Sequence, residues 1–287
     1  MSDTVQYVTA NDGARLAYEV SGPVSAPVVV LLHGWSGSRK YFSRNIRTLS
    51  SACRVYALDQ RFHGDSDSTS HGHHVARLAA DLNDFLTCLN LEQVVVVGTS
   101  LGCAVIWSYI ELYGEARLKG AVTVDQAPLQ NRSHDWQLGS NGCYDATTLA
   151  NLQAACRADV ADIATGNMGC CCSLPIPDET AALLRAETLR CSGEALALLM
   201  ADHTQLDWRA LLARIRIPFL NCVGGCSGVF PTQGCLYVGE QVPDGCNVLF
   251  SRASHWLHIE QPGEFCAAVL GFVENGNDGR AKLVVVP

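Results

Sequence analysis

Two observations predict an α/β architecture with a mostly parallel central sheet. Short β-branched runs alternate with stretches long enough for helices, and those runs are apolar along their whole length rather than at every second residue. A strand that is apolar on both faces is one covered by helices above and below. The alternating order is that of successive βαβ units.

Taken in order, residues 5–9 and 15–20 open the chain as an antiparallel pair around the turn Asn11-Asp12-Gly13. Apolar runs at 27–32, 54–58, 93–97 and, less purely, 118–124 supply buried strands, with helices expected over 39–49, 76–90 and 101–113. The alternation resumes with strands at 217–223 and 246–251 and helices at 231–241 and 260–274. Residues 128–210 break it: helical stretches at 147–157, 178–190 and 193–201 are joined by Gly-, Asn- and Cys-rich links, with no convincing strand. The expected organisation is therefore an α/β core from 1–127 and 211–287 with a helical cap, 128–210, inserted between two core strands. Residues 275–282 are polar and expected to fray, and the apolar end Leu283-Val-Val-Val-Pro287 has no assigned place.

Composition narrows the function. The 287 residues carry a net charge of −8, and 17% are charged, below the roughly 25% of an average soluble protein. An acidic chain without a basic run is a poor binder of nucleic acid or anionic membrane. The N-terminus, Met1-Ser-Asp-Thr-Val-Gln-Tyr, lacks the basic and apolar regions of a secretory signal, and no apolar run is long enough to span a bilayer. The chain reads as cytoplasmic, with a small, neutral or apolar molecule as its partner. Its 14 cysteines do not suggest a disulfide scaffold, because Cys53, Cys88, Cys103, Cys222 and Cys266 sit in apolar segments where a thiol serves as a small hydrophobe.

The chemistry centres on Val94-Val-Val-Val-Gly98-Thr99-Ser100-Leu101-Gly102-Cys103-Ala104. This is a G-x-S-x-G pentapeptide directly after a buried strand and before a helix. Such a turn lifts a serine hydroxyl above the sheet in a strained conformation, and small residues two before and two after it avoid clashes. The helix N-terminus beneath favours developing negative charge.

Three further segments accompany it: Leu31-Leu32-His33-Gly34-Trp35-Ser36, then Asp59-Gln60-Arg61-Phe62-His63-Gly64-Asp65-Ser66, then Ser254-His255-Trp256-Leu257-His258-Ile259-Glu260-Gln261-Pro262. Together with the serine turn, and in this order, they resemble the α/β-hydrolase superfamily, in detail its esterase and non-haem haloperoxidase-like branch. The resemblance covers 15–127 and 215–272; the cap carries no recognised motif. It implies the α/β-hydrolase fold, Ser100 as nucleophile, His255 as base, and the backbone N–H groups of Trp35 and Leu101 as oxyanion hole. His258 is the rival base, and His33 and His63 are expected to hold loops by hydrogen bonds. No metal or organic cofactor is implied.

The acid departs from the family's common pattern. There a carboxylate follows the strand at 217–223; here Val223-Gly224-Gly225-Cys226-Ser227-Gly228-Val229-Phe230-Pro231 has none. A histidine base still needs a partner to fix its tautomer. The best substitute is Asp125, at the end of the preceding strand, where some members of the superfamily place the acid. The alternative is a Ser–His dyad supported by Ser227 or water.

The resulting expectation is hydrolysis of an ester or related acyl bond through an acyl-enzyme. Carbon–carbon hydrolysis and lactone opening stay open, since the same triad serves them. Perhydrolysis ranks second because Ser36 stands where perhydrolase-type members carry proline, and a ligand receptor with little turnover is the non-enzymatic alternative. Members that open epoxides or remove halogens use aspartate as nucleophile, which Ser100 argues against. Three other clusters read as structural rather than functional: His71-Gly72-His73-His74 as a polar loop before a helix, Cys170-Cys171-Cys172 as a redox-sensitive surface at most, and Cys222 with Cys226 as unpaired thiols.

Overall fold

A computed structural model describes residues 4–287. Its strands are β1 (Gln6–Thr9), β2 (Arg15–Ser21), β3 (Val28–Leu32), β4 (Arg54–Leu58), β5 (Val94–Thr99), β6 (Leu118–Val124), β7 (Phe219–Gly224), β8 (Gly245–Phe250) and β9 (Leu283–Val286). They form one sheet in the order β1-β2-β4-β3-β5-β6-β7-β8-β9. Within this sheet β1–β2 and β2–β4 pair antiparallel, and every pairing from β4 through β3 to β9 is parallel.

The all-apolar strands are buried on both faces, as their composition requires. Val30 and Leu32 of β3 and Val94 and Val96 of β5 face one core; Val29, Leu31, Val95 and Val97 face the other. The first is filled by α2 (Val75–Cys88), α3 (Leu101–Tyr113) and later α9 (Thr232–Gln241), through residues such as Leu82, Phe85 and Val238. The second is covered by α1 (Ser43–Leu49) and, near the end of the chain, α11 (Pro262–Asn275), through Leu49, Phe265 and Val269. The stretch at 39–49 is not one helix: Arg39–Phe42 form a 3-10 turn before α1.

Between β6 and β7 lie α4 (Ala146–Ala158), α5 (Val160–Cys171), α6 (Asp178–Leu189), α7 (Gly193–His203) and the short α8 (Arg209–Leu212); α10 (Leu257–Glu260) precedes α11. Helix α5 replaces what the sequence suggested was a link. Two glycines, Gly166 and Gly169, and a cysteine run weaken its helical signal, yet Asp159 caps it by accepting from Ala161 N at 2.7 Å. The tail also differs from expectation. Asn277 donates to the carbonyl of Asp244 at 2.7 Å and Lys282 to that of Gly245 at 2.9 Å. So tethered, Leu283–Val286 add β9 beside β8 in register from Asn247↔Leu283 to Phe250↔Val286.

Candidate active site

In an open parallel sheet, ligands bind outside the carboxyl ends of the strands. The turn from β5 to α3 stands there. Ser100 has φ 52° and ψ −118°, a conformation that costs an L-residue roughly 1–3 kcal/mol and persists only where the surroundings impose it. They do so by contact. A Cβ on Gly98 would lie 2.5 Å from the backbone of Gly102, and one on Gly102 would lie 2.6 Å from the carbonyl oxygen of Leu32. Ser100 N donates to the Val124 carbonyl at 3.0 Å, tying the turn to β6.

Asp125 follows β6 directly and also has positive φ, 49°. Its carboxylate is fully buried and accepts three hydrogen bonds. Oδ1 takes Gly224 N at 2.9 Å; Oδ2 takes Ser227 Oγ at 2.6 Å and His255 Nδ1 at 2.7 Å. A carboxylate can only accept, so the imidazole proton sits on Nδ1 and Nε2 is left as a base. The loop after β7, which lacks an acid, thus supplies a serine that hydrogen-bonds to the acid from β6. His255 itself is held by the loop after β8, where Ser254 N donates to Glu260 Oε2 at 2.6 Å and Ser173 N to Glu260 Oε1 at 2.6 Å.

The loop after β3 closes the other side. A Cβ on Gly34 would lie 3.1 Å from Ser100 Cβ, so this loop packs directly against the serine. Trp35 is anchored through its indole N–H to the Leu196 carbonyl in α7 at 3.0 Å. His33 shares Nδ1–H with the Gly34 carbonyl at 2.8 Å and accepts Gln60 N on Nε2 at 3.0 Å. His63 accepts Ser36 N at 3.3 Å. Burial pushes His33 down to about 4 and His63 to about 3, so both are neutral braces at pH 7. Beneath them Asp59 holds Arg39 and accepts Asp65 N at 2.8 Å, locking the 59–66 turn.

His258 stands apart. It is buried between Phe42 and Phe265, with ring centroids 5.3 and 5.8 Å away, and burial pushes it down to about 3. It does not line the cavity that His255 lines. His74 caps α2 by accepting Arg77 N, His73 stacks on Phe62, and His71 pairs with Asp12. Cys222 is buried and Cys226 exposed, and both are free thiols.

Ser100 and His255 open into a cavity of about 240 Å³. Half of its lining comes from 128–210, including Gln130, Leu152, Asn167 and Met200, and among the described residues no Lys, Arg, Asp or Glu lines it. Asn167 donates to Ser36 Oγ at 3.0 Å, linking α5 to the loop after β3. Leu152 is one of the apolar positions that hint in the sequence at a hydrophobic pocket, whereas Gln130, Asn167 and Met200 carry no signal there, because helices without a motif do not show which face meets the site. The sequence marks Cys170 and Cys171 but not their place: both line this cavity.

Residues 27–141 match the alpha/beta hydrolase fold family. The chain has the α/β-hydrolase fold. It is 26% identical over 274 residues to 3-oxoadipate enol-lactonase 1 of Acinetobacter baylyi, covering 93% of this chain and 96% of that one. It is 33% identical over 123 residues to the non-heme haloperoxidase of Rhodococcus erythropolis, covering 42% and 44%. Among solved structures, an esterase from Exiguobacterium antarcticum superposes with a TM-score of 0.89 at 20% identity, over 94% of this chain and 100% of that one. A bromoperoxidase from Bacillus anthracis superposes with a TM-score of 0.85 at 22% identity, over the same shares. These likenesses support a place in the esterase and haloperoxidase-like branch of the α/β hydrolases. Among the described residues no helix is long and apolar enough to cross a membrane.

Proposed function

We propose that this α/β hydrolase is a serine esterase that cleaves a small, uncharged carboxylic ester or lactone through an acyl-enzyme. Ser100 is the nucleophile, His255 the base and Asp125 the acid; Leu101 and Trp35 give the oxyanion hole. Residues 128–210 are a cap over the site. The observation that carries the reading is the buried Asp125–His255 hydrogen bond of 2.7 Å, with His255 sharing a cavity with Ser100.

In this mechanism Ser100 Oγ attacks the ester carbonyl while His255 Nε2 takes its proton. Asp125 holds Nδ1–H and stabilises the imidazolium. The N–H groups of Leu101 and Trp35 receive the negative charge of the tetrahedral intermediate, each such donor being worth about 10²–10³ in rate. His255 then protonates the leaving alcohol, and water, activated by the same base, releases the acid.

The cavity supports the substrate class. At about 240 Å³ it falls below the roughly 300–1,000 Å³ of drug-sized sites. A substrate carboxylate would find no Lys or Arg among the lining residues. The hydrogen bond from His255 to Asp125, just after β6, weighs against a receptor without turnover, since a histidine partner is present although the loop after β7 has no carboxylate. Perhydrolysis is disfavoured by the backbone at Ser36, whose φ of 60° a proline, fixed near −65°, cannot adopt.

The test is turnover of short-chain p-nitrophenyl and γ-lactone substrates, neutral and carboxylated, by wild type and Ser100→Ala. Hydrolysis of the neutral members that disappears in Ser100→Ala supports the reading. Hydrolysis that survives the substitution, or a preference for carboxylated members, refutes it.

A further inference from the structure

The cysteine run at 170–172 ends α5, and the mechanism makes no use of it. Cys170 is half-buried and lines the cavity with Ser100 and His255; Cys171, its neighbour in the wall, is buried. Their sulfurs lie 3.5 Å apart, within the reach of an S–H···S contact. The turn that carries them is clamped to both loops around the candidate site. Ser254 Oγ donates to the Cys170 carbonyl at 3.1 Å and Trp256 N to the Cys171 carbonyl at 2.9 Å, so the residues on either side of His255 are bound to this pair. On the other flank, a Cβ on Gly228 would lie 2.5 Å from the Cys170 carbonyl oxygen.

The three thiols lining the cavity differ in character. When Cys170 ionises, its thiolate can only accept from the Cys171 S–H; this contact lowers the Cys170 pKa, and the nearby His255 acts in the same direction. The contact raises Cys171 correspondingly, and burial pushes Cys143 up to about 11. A thiolate, not a thiol, is the nucleophile. Cys170 is therefore the reactive one, and among the described residues no Lys, Arg, Asp or Glu lines the cavity wall to hold a charged reagent, so the wall suits an uncharged one.

We propose that Cys170 is a covalent modification site, at which small uncharged soft electrophiles entering the cavity are captured and close it to substrate. With an α,β-unsaturated carbonyl compound, Sγ bonds to the β-carbon, the alkene π pair moves onto the α-carbon as an enolate, and solvent protonates it. With a haloacetamide, the C–S bond forms as the carbon–halogen bond breaks and halide leaves. Neither step needs an oxidant. The site stands beside the proposed triad, and only the activity readout below rests on the esterase reading.

The test alkylates the full chain with iodoacetamide at pH 7 and follows each cysteine by peptide mapping, with a 5-kDa maleimide polymer as a reagent too large for the cavity. Cys170 is expected to react at least tenfold faster than Cys143 with iodoacetamide and to be spared by the polymer, while exposed Cys88 and Cys226 react with both. Cys171→Ala, which removes the thiol donor, is expected to slow Cys170 several-fold. Loss of ester hydrolysis should track Cys170 labelling and be at least tenfold slower in Cys170→Ser. Alkylation of Cys170 no faster than Cys143, polymer labelling of Cys170 as fast as Cys226, or inactivation unchanged in Cys170→Ser would each overturn the proposal. If wild type hydrolyses no ester, the esterase reading fails and the mapping alone decides this one.

Discussion

Replacing Asp125 by Asn probes the least conventional part of the proposed triad. The buried carboxylate accepts from Gly224 N at 2.9 Å, Ser227 Oγ at 2.6 Å and His255 Nδ1 at 2.7 Å. In Asp125→Asn the amide oxygen can keep the Gly224 bond, and the Ser227 hydroxyl can turn to accept from the new N–H. His255 Nδ1 has to accept as well, which moves the imidazole proton to Nε2, the atom that must take the proton of Ser100. The wrong tautomer costs about 10⁴ in kcat in a serine triad, or about 5.4 kcal/mol at 1.36 kcal/mol per tenfold. Since the hydrogen bonds are re-formed, the thermal midpoint should stay within a few degrees. Ser227→Asp in the same chain offers a second carboxylate from the loop where the family usually carries it, and at least tenfold recovery is expected. The assay is steady-state hydrolysis of a p-nitrophenyl ester at pH 8. An Asp125→Asn enzyme within tenfold of wild type would refute the assignment and leave a Ser–His dyad.

Other expectations follow from the scaffold. Gly98→Ala places a Cβ 2.5 Å from Gly102 and 2.7 Å from Ile106 Cδ1; a loss of about 2–4 kcal/mol of stability is expected, and an unchanged denaturation midpoint would contradict the close packing of the serine turn. Arg39→Met strands the fully buried Asp59 and should cost about 3–5 kcal/mol, largely recovered in Arg39→Met/Asp59→Asn. Buried His33, His63, His203 and His258 have pKa values lowered to between about 3 and about 4. Below pH 6.5 the unfolded chain binds protons that the folded chain refuses, so stability present above that pH is lost as pH falls toward 4. The thermal midpoint should drop between pH 7 and pH 5, with proton uptake on unfolding; a flat profile would contradict the burial of these rings.

The core was legible because its signals are local. A run such as Val94–Val97 reports a doubly covered strand by itself, and the glycines around Ser100 report the close approach that they permit. The proposal of Asp125 had less to go on, since it rests on the lack of a carboxylate after 217–223 and on the members of the superfamily that carry the acid at the end of the preceding strand. What the sequence did not reveal depends on distant partners. Strand β9 is four residues long and owes its place to the Asn277 and Lys282 tethers. The role of Ser227 as a donor to Asp125 follows from loop geometry alone. Cys170 and Cys171 reach the cavity only because α5, with its two glycines, is a helix clamped against the loop of His255.

The most direct test of the central claim is rapid-quench mass spectrometry of the chain during turnover of p-nitrophenyl butyrate. A burst of p-nitrophenol and a butyryl group on the peptide containing Ser100 are expected, both absent in Ser100→Ala. Turnover without any acylated Ser100 peptide, at a rate that Ser100→Ala retains, would contradict that claim.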